Sequence, residues 1–165
     1  SLSKASNLID KEIEEKLKQI EHSEIYESEE NAKLLTSIAV SYGKKFDFKH
    51  ELKYYLDAYL IYNNLFNRKD HRESENVLYM IGLCYGKMGD YKNELNYMLK
   101  GLEMHKRLCK LDCIRLTNTL NRIGNTYGKL GNLENEYKFC LEAYNINLRM
   151  FKTDHESISR SLNNL

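Results

Sequence analysis

Cysteine, histidine, lysine, glutamate and asparagine are the residues of this chain whose type and spacing invite a chemical reading. Cys84, Cys109, Cys113 and Cys140 include no Cys-x-x-Cys pair, and the Cys109/Cys113 spacing lacks the second half that a zinc site requires. They read as reduced thiols serving as small hydrophobes. His22, His50, His71, His105 and His155 are scattered, and His50-Glu51 is not followed by the second histidine of a metalloprotease helix. No metal or other cofactor is expected. Neither a Gly-x-x-x-x-Gly-Lys-Ser/Thr phosphate loop nor a Gly-x-Ser-x-Gly nucleophile elbow occurs. The chain is therefore not expected to be an enzyme, and the chemistry left to it is recognition. Lys44, Lys87 and Lys129 occupy one recurring position, and Glu51, Glu94 and Glu136 another.

What must position these residues is an internal repeat. Ile38-Ala39-Val40-Ser41-Tyr42-Gly43-Lys44 recurs as Ile81-Gly82-Leu83-Cys84-Tyr85-Gly86-Lys87 and as Ile123-Gly124-Asn125-Thr126-Tyr127-Gly128-Lys129, at intervals of 43 and 42 residues. Leu56, Leu99 and Leu141, then the small residues Ala58, Gly101 and Ala143, continue the same frame. Leu78, Ile81, Leu83 and Tyr85, then Leu95, Met98, Leu99 and Leu102, fall at helical spacing, which predicts two amphipathic helices per unit. Gly89-Asp90 and Gly131-Asn132 mark the break between them, glycine ending one helix and Asp or Asn capping the next. Phe46-Asp47 keeps the cap and loses the glycine. Gly82 and Gly124 sit inside helices, where glycine costs about 1 kcal/mol relative to alanine; close approach of the second helix is the expected reason. Ala58, Gly101 and Ala143 are expected to pack against the following unit.

The 165 residues are 42% hydrophobic and 30% charged, enough for one ordinary core and too apolar for a disordered chain. With no proline in the chain, helices joined by Gly and Asn turns are favoured. A net charge of +1 gives no global field for nucleic acid or an anionic membrane. The first residues lack the apolar run of a signal peptide, and no segment approaches the roughly 18 apolar residues of a membrane span. A soluble, cytoplasmic protein is the expectation.

Tyr85-Gly86-Lys87-Met88-Gly89-Asp90-Tyr91, together with His155-Glu156 and Leu162-Asn163-Asn164-Leu165, resembles the tetratricopeptide repeats, in particular the units of about 42 residues of kinesin light chain. The resemblance implies an all-α solenoid of antiparallel helix pairs wound as a right-handed superhelix. It divides the chain into a half-repeat helix at 6–24, repeats at 30–70, 73–112 and 113–154, and the start of a further repeat at 155–165. It further implies a non-catalytic scaffold whose first helices line a concave groove for a peptide segment of a partner protein. Carried over by position, the groove residues are Lys44, Tyr79, Leu83, Lys87, Asn121, Asn125, Lys129, Asn163 and Asn164. Thr36, Val40 and Gly43 are their counterparts in the first unit. Asparagine amides can satisfy both N–H and C=O of an extended peptide, and a ladder of lysines would attract an acidic one.

Two other functions are compatible with this pattern: a peptide-sensing domain that regulates an attached effector, and a self-assembly module acting as a homo-oligomer through uncapped ends. The three glutamates stand where the family usually has Ala. Two explanations are open, a place in the first turn favoured by the helix dipole, or a repeated hydrogen bond to a tyrosine hydroxyl or backbone group.

Overall fold

Capping residues punctuate the chain as their types demand. Ser28, Asp47 and Asp90 each accept the backbone N–H three residues on, and Asn132 does the same for Asn135. His71 plays this part through Nδ1, which accepts from the Glu73 N–H. A computed structural model describes residues 2–23, 26–109 and 114–163. The helices set off by these caps are α1 (Leu2–Glu21), α2 (Glu29–Lys44), α3 (Phe48–Leu65), α4 (Arg72–Lys87), α5 (Tyr91–Leu108), α6 (Ile114–Lys129) and α7 (Leu133–Asn163). No strand occurs among the described residues.

Helices α2/α3, α4/α5 and α6/α7 pack as hairpins, and each hairpin leans on the next through α3·α4 and α5·α6. Helix α1 lies against α2, burying Ile13 and Ile20. The three hairpin turns close identically: the N–H of Asp47, Asp90 and Asn132 reaches the carbonyl of Tyr42, Tyr85 and Tyr127, at 3.1, 2.9 and 2.9 Å. This turn needs a left-handed residue, supplied by Gly89 and Gly131 at φ 79° and 78°. Phe46 takes the same role at φ 60° with its ring in solvent, a strained choice for a side chain bearing a Cβ.

The tyrosine of each Tyr-Gly-Lys stacks on an aromatic ring of its own second helix. Tyr42–Tyr54, Tyr85–Tyr97 and Tyr127–Phe139 have centroids 5.4, 5.5 and 5.5 Å apart. These rings belong to a core that extends along the solenoid, with Ile38, Tyr55, Ile61 and Ile81 at one end and Met98, Leu120, Ile123 and Ala143 at the other. A buried tyrosine hydroxyl ordinarily finds a hydrogen-bond partner. Tyr55 departs from this, for its hydroxyl has none among the described residues, and burial, with the Glu51 charge second, pushes its pKa well up.

The intra-helical glycines behave as their cost suggests. A Cβ on Gly82 would lie 3.0 Å from the Met98 side chain of α5, and one on Gly124 would lie 2.6 Å from Cys140 Sγ of α7. Gly101 differs from expectation: its nearest neighbours are Leu78, Glu75 and Tyr79 of α4, the first helix of its own unit. The expected connector at Lys152-Thr153-Asp154 is also helical, since α7 runs unbroken to Asn163. No glycine stands there to supply a left-handed stop, and none of the three residues forbids helical dihedrals.

Candidate functional site

Two of the three recurring glutamates, Glu51 and Glu94, prove to be electrostatic joints of the solenoid. Glu51 is 3% exposed, and its carboxylate receives Lys87 Nζ of the next hairpin at 2.7 and 2.9 Å. Glu94 is fully buried and accepts from Arg122 Nε, again of the next hairpin. Neither the helix dipole nor a tyrosine hydroxyl accounts for burial this deep; a cation from the neighbouring unit does. The glycine of Tyr-Gly-Lys exists for the same carboxylate. A Cβ at Gly43, Gly86 or Gly128 would lie within 2.7, 2.4 or 2.5 Å of the Glu51, Glu94 or Glu136 side chain. Glycine and glutamate, two separate motifs in the sequence, are therefore one packing device.

One rung of the lysine ladder, Lys87, is drawn into these joints. Lys87 Nζ sits 5.2 Å from the Phe48 ring centroid while it binds Glu51, and Lys129 Nζ sits 4.6 Å from that of Tyr91. Lys44 is exposed at the end of α2, where its charge acts on Glu12 of α1. Burial, and next the Glu51 charge, push the nearby Cys84 thiol up to about 12, so it stays protonated and unreactive in the folded chain. Replacing Lys87 by Glu is expected to lower stability by about 2 kcal/mol. This is less than breaking a fully enclosed pair costs, because the lysine side chain is 38% exposed. Thermal melts of Lys87→Glu beside Lys44→Glu check this; equal melting temperatures would show the Glu51 joint to be idle.

The other expected groove residues lie on two neighbouring first helices. Tyr79 and Leu83 on α4 are half-buried and pack against the α5–α7 core, whereas Asn121 and Asn125 on α6 are exposed. Asn163 is the last residue of α7, and Asn164 lies outside the described residues. Between α4 and α6 opens a cleft of about 480 Å³, lined by Asn76, Tyr79, Met80, Arg115, Asn118 and Thr119 among others. Tyr79 is thus the expected residue that lines it; Leu83, Asn121 and Asn125 continue along the same helices. Asn76 and Asn118 went unrecognised in the sequence, although they precede Tyr79 and Asn121 by three residues in the same register. At the cleft floor, buried Glu75 is held by His105 Nδ1 at 2.9 Å, with Arg115 Nη1 at 3.7 Å. The buried Oδ1 of Asn76 has no hydrogen-bond partner among the described residues.

Residues 75–106 and 117–149 match the tetratricopeptide-repeat family model. These segments are tetratricopeptide repeats, and the fold is that of a tetratricopeptide-repeat solenoid. Repeats of this kind generally mediate protein–protein interaction, and the family is typically non-catalytic. Among solved structures, the chain is similar to BtubC (BKLC) from P. vanneervenii, with a TM-score of 0.79 and 19% identity over 87% of this chain and 58% of that one. It therefore spans little more than half of that protein's structure. It is also similar to the nearly identical TPR-like repeats assigned to a kinesin light chain of Podosopora anserina, with a TM-score of 0.68 and 9% identity over 90% of this chain and 68% of that one. No curated protein matches the sequence. Among the described residues, no helix is long and apolar enough to cross a membrane.

Proposed function

We propose that this chain is a non-catalytic scaffold that holds a peptide segment of a partner protein along its stacked first helices, in a cytoplasmic setting. The observation that carries this is the α4/α6 cleft, where the Tyr79 ring meets the Asn76 and Asn118 amides and the Arg115 guanidinium. A peptide laid there can exchange hydrogen bonds with the exposed Asn118 amide, rest a side chain on Tyr79, and continue past Asn121 and Asn125. Acidic residues in the peptide would find Arg115 and exposed Lys44; Lys87 is committed to Glu51 and contributes mainly to the frame.

Selection from a displayed peptide library tests this reading. Peptides so isolated should lose at least about tenfold in affinity when Asn118, Asn121 and Asn125 are changed together to Ala, with helicity and melting preserved. Selected peptides that bind this variant as tightly as the parent chain would place recognition elsewhere.

A further inference from the structure

The three hairpin turns form a row along one edge of the solenoid. Lys87 Nζ of the second turn reaches the Phe48 ring beside the first, and Lys129 Nζ of the third reaches Tyr91 beside the second. The left-handed position of these turns is held by Phe46, Gly89 and Gly131. A Cβ at Gly89 or Gly131 would meet no atom within 4 Å, so the position faces open space and packing demands no side chain there. Phe46 nevertheless bears a benzyl group, at φ 60° and 80% exposed. Its ring meets the Phe48 ring edge-on, centroids 6.2 Å apart, and that contact leaves most of it in water. The backbone is strained and the ring gains almost nothing from burial, so the fold itself supplies no reason for this residue. Nor does the exposure depend on the ends of the chain: the second turn has a turn on either side, and Met88 and Gly89 are exposed all the same.

Between the first and second turns opens a cleft of about 560 Å³, lined by Lys45, Phe46, Asp47, Phe48, Lys49 and Met88. Two aromatic rings and a thioether make its walls apolar, and its uncommitted charge is positive. Lys45 is drawn to Asp10 of α1 and Lys87 to Glu51. The Asp47 carboxylate is taken up by the N–H and imidazole of His50, and that of Asp90 by the N–H and amide of Asn93. Lys49 is exposed at the rim and forms no ion pair among the described residues, and the same holds for Lys92, its equivalent one unit on.

We propose that this edge is a protein-binding surface separate from the α4/α6 groove, and that it takes an acidic segment of a partner carrying one large apolar side chain. That side chain enters the cleft against Phe46, Phe48 and Met88, and the carboxylates on either side of it meet Lys49 and Lys92. Contact with the partner buries the Phe46 ring, which the chain alone leaves in solvent. The acidic character follows from charge complementarity, since the lysines at the rim have no acid of their own to answer them. The surface goes beyond the groove reading, for none of its residues lines the α4/α6 cleft.

The test sorts a displayed library of random short peptides on the full 165-residue chain and counter-sorts it on Phe46→Gly. Restoring the glycine of the other two turns should raise the melting temperature by about 2–4 °C, so lost binding cannot come from unfolding. Peptides held by the parent and rejected by the variant should carry a leucine, methionine or aromatic residue flanked by Asp or Glu. Phe46→Gly and Lys49→Glu should each weaken them at least about tenfold, while the Asn118, Asn121 and Asn125 triple-alanine variant binds them as tightly as the parent. That last comparison keeps the two surfaces apart, so either can fail alone. A library in which no peptide distinguishes the parent from Phe46→Gly would overturn the proposal, as would distinguishing peptides that lack acidic residues. A lower melt for Phe46→Gly would show the ring serving the fold and have the same effect. Phe46-dependent pelleting with phosphatidylserine vesicles would give the tip to a lipid surface, and a Phe46-dependent rise of mass with concentration would give it to a second copy; either result overturns the acidic-segment reading.

Discussion

Arg122→Ala should lower the stability of the domain by about 3–5 kcal/mol, the cost of stripping one partner from an enclosed ion pair. Glu94 is fully buried, its Oε1 accepts from Arg122, and its Oε2 has no hydrogen-bond partner among the described residues. Without the guanidinium the carboxylate keeps its desolvation penalty and loses the charge that offsets it. For a chain of this length the loss corresponds to a melting temperature lower by about 10 °C. Because the bond joins α6 to α5, the damage should fall first on the coupling between the second and third hairpins, and the transition should broaden as well as shift. Adding Glu94→Leu to Arg122→Ala should restore most of the loss, since an apolar replacement removes the stranded charge. Calorimetry of the two variants decides the point: a melt for Arg122→Ala within about 1 °C of the parent would mean that the pair contributes nothing.

Arg122 also shows why the frame of the molecule was readable in the sequence while its joints were not. Periodicity requires only that equivalent positions carry equivalent residues, and Tyr42, Tyr85 and Tyr127 do so down to the geometry of their ring stacks. The helix pairs, their caps and the close approach at Gly82 and Gly124 follow from such positions. The cations do not repeat. Glu51 is answered by Lys87 from the last turn of α4, and Glu94 by Arg122 from the middle of α6, where α4 has Met80. Two long side chains starting two turns apart can reach equivalent carboxylates, so no alignment of the units reveals them. Gly101 misleads for a related reason, because a small residue announces a close neighbour without saying which helix it is. The groove shows both behaviours. Tyr79 was legible from its register, whereas the cleft that Asn76 and Asn118 line depends on how α4 and α6 splay apart, a distance that no single helix encodes.

Glycines offer the sharpest separation of these effects, because two of them at helix-interior positions should respond with opposite sign. Gly101→Ala should stabilise the domain by about 0.5–1 kcal/mol: the new Cβ would meet Leu78 at 3.6 Å and the α4 backbone at 3.9 Å, ordinary contact distances, and helix propensity then favours alanine. Gly124→Leu should cost about 3 kcal/mol or more. There the first carbon alone would lie 2.6 Å from Cys140 Sγ and 3.2 Å from the Glu136 carbonyl, and the leucine has three more to place. The thiol can rotate aside, but the carbonyl belongs to the α7 backbone, so the helices of the third hairpin must separate. Separation would pull the Tyr127 ring off Phe139 and draw Ile123 out of the core it shares with Ala143. Gly124→Ala combined with Cys140→Ala isolates the two contributions. If sulfur were the whole obstacle the double variant would melt like the parent, whereas a residual loss assigns the remainder to backbone approach. A parent-like melt for Gly124→Leu would remove close helix packing as the reason for this glycine.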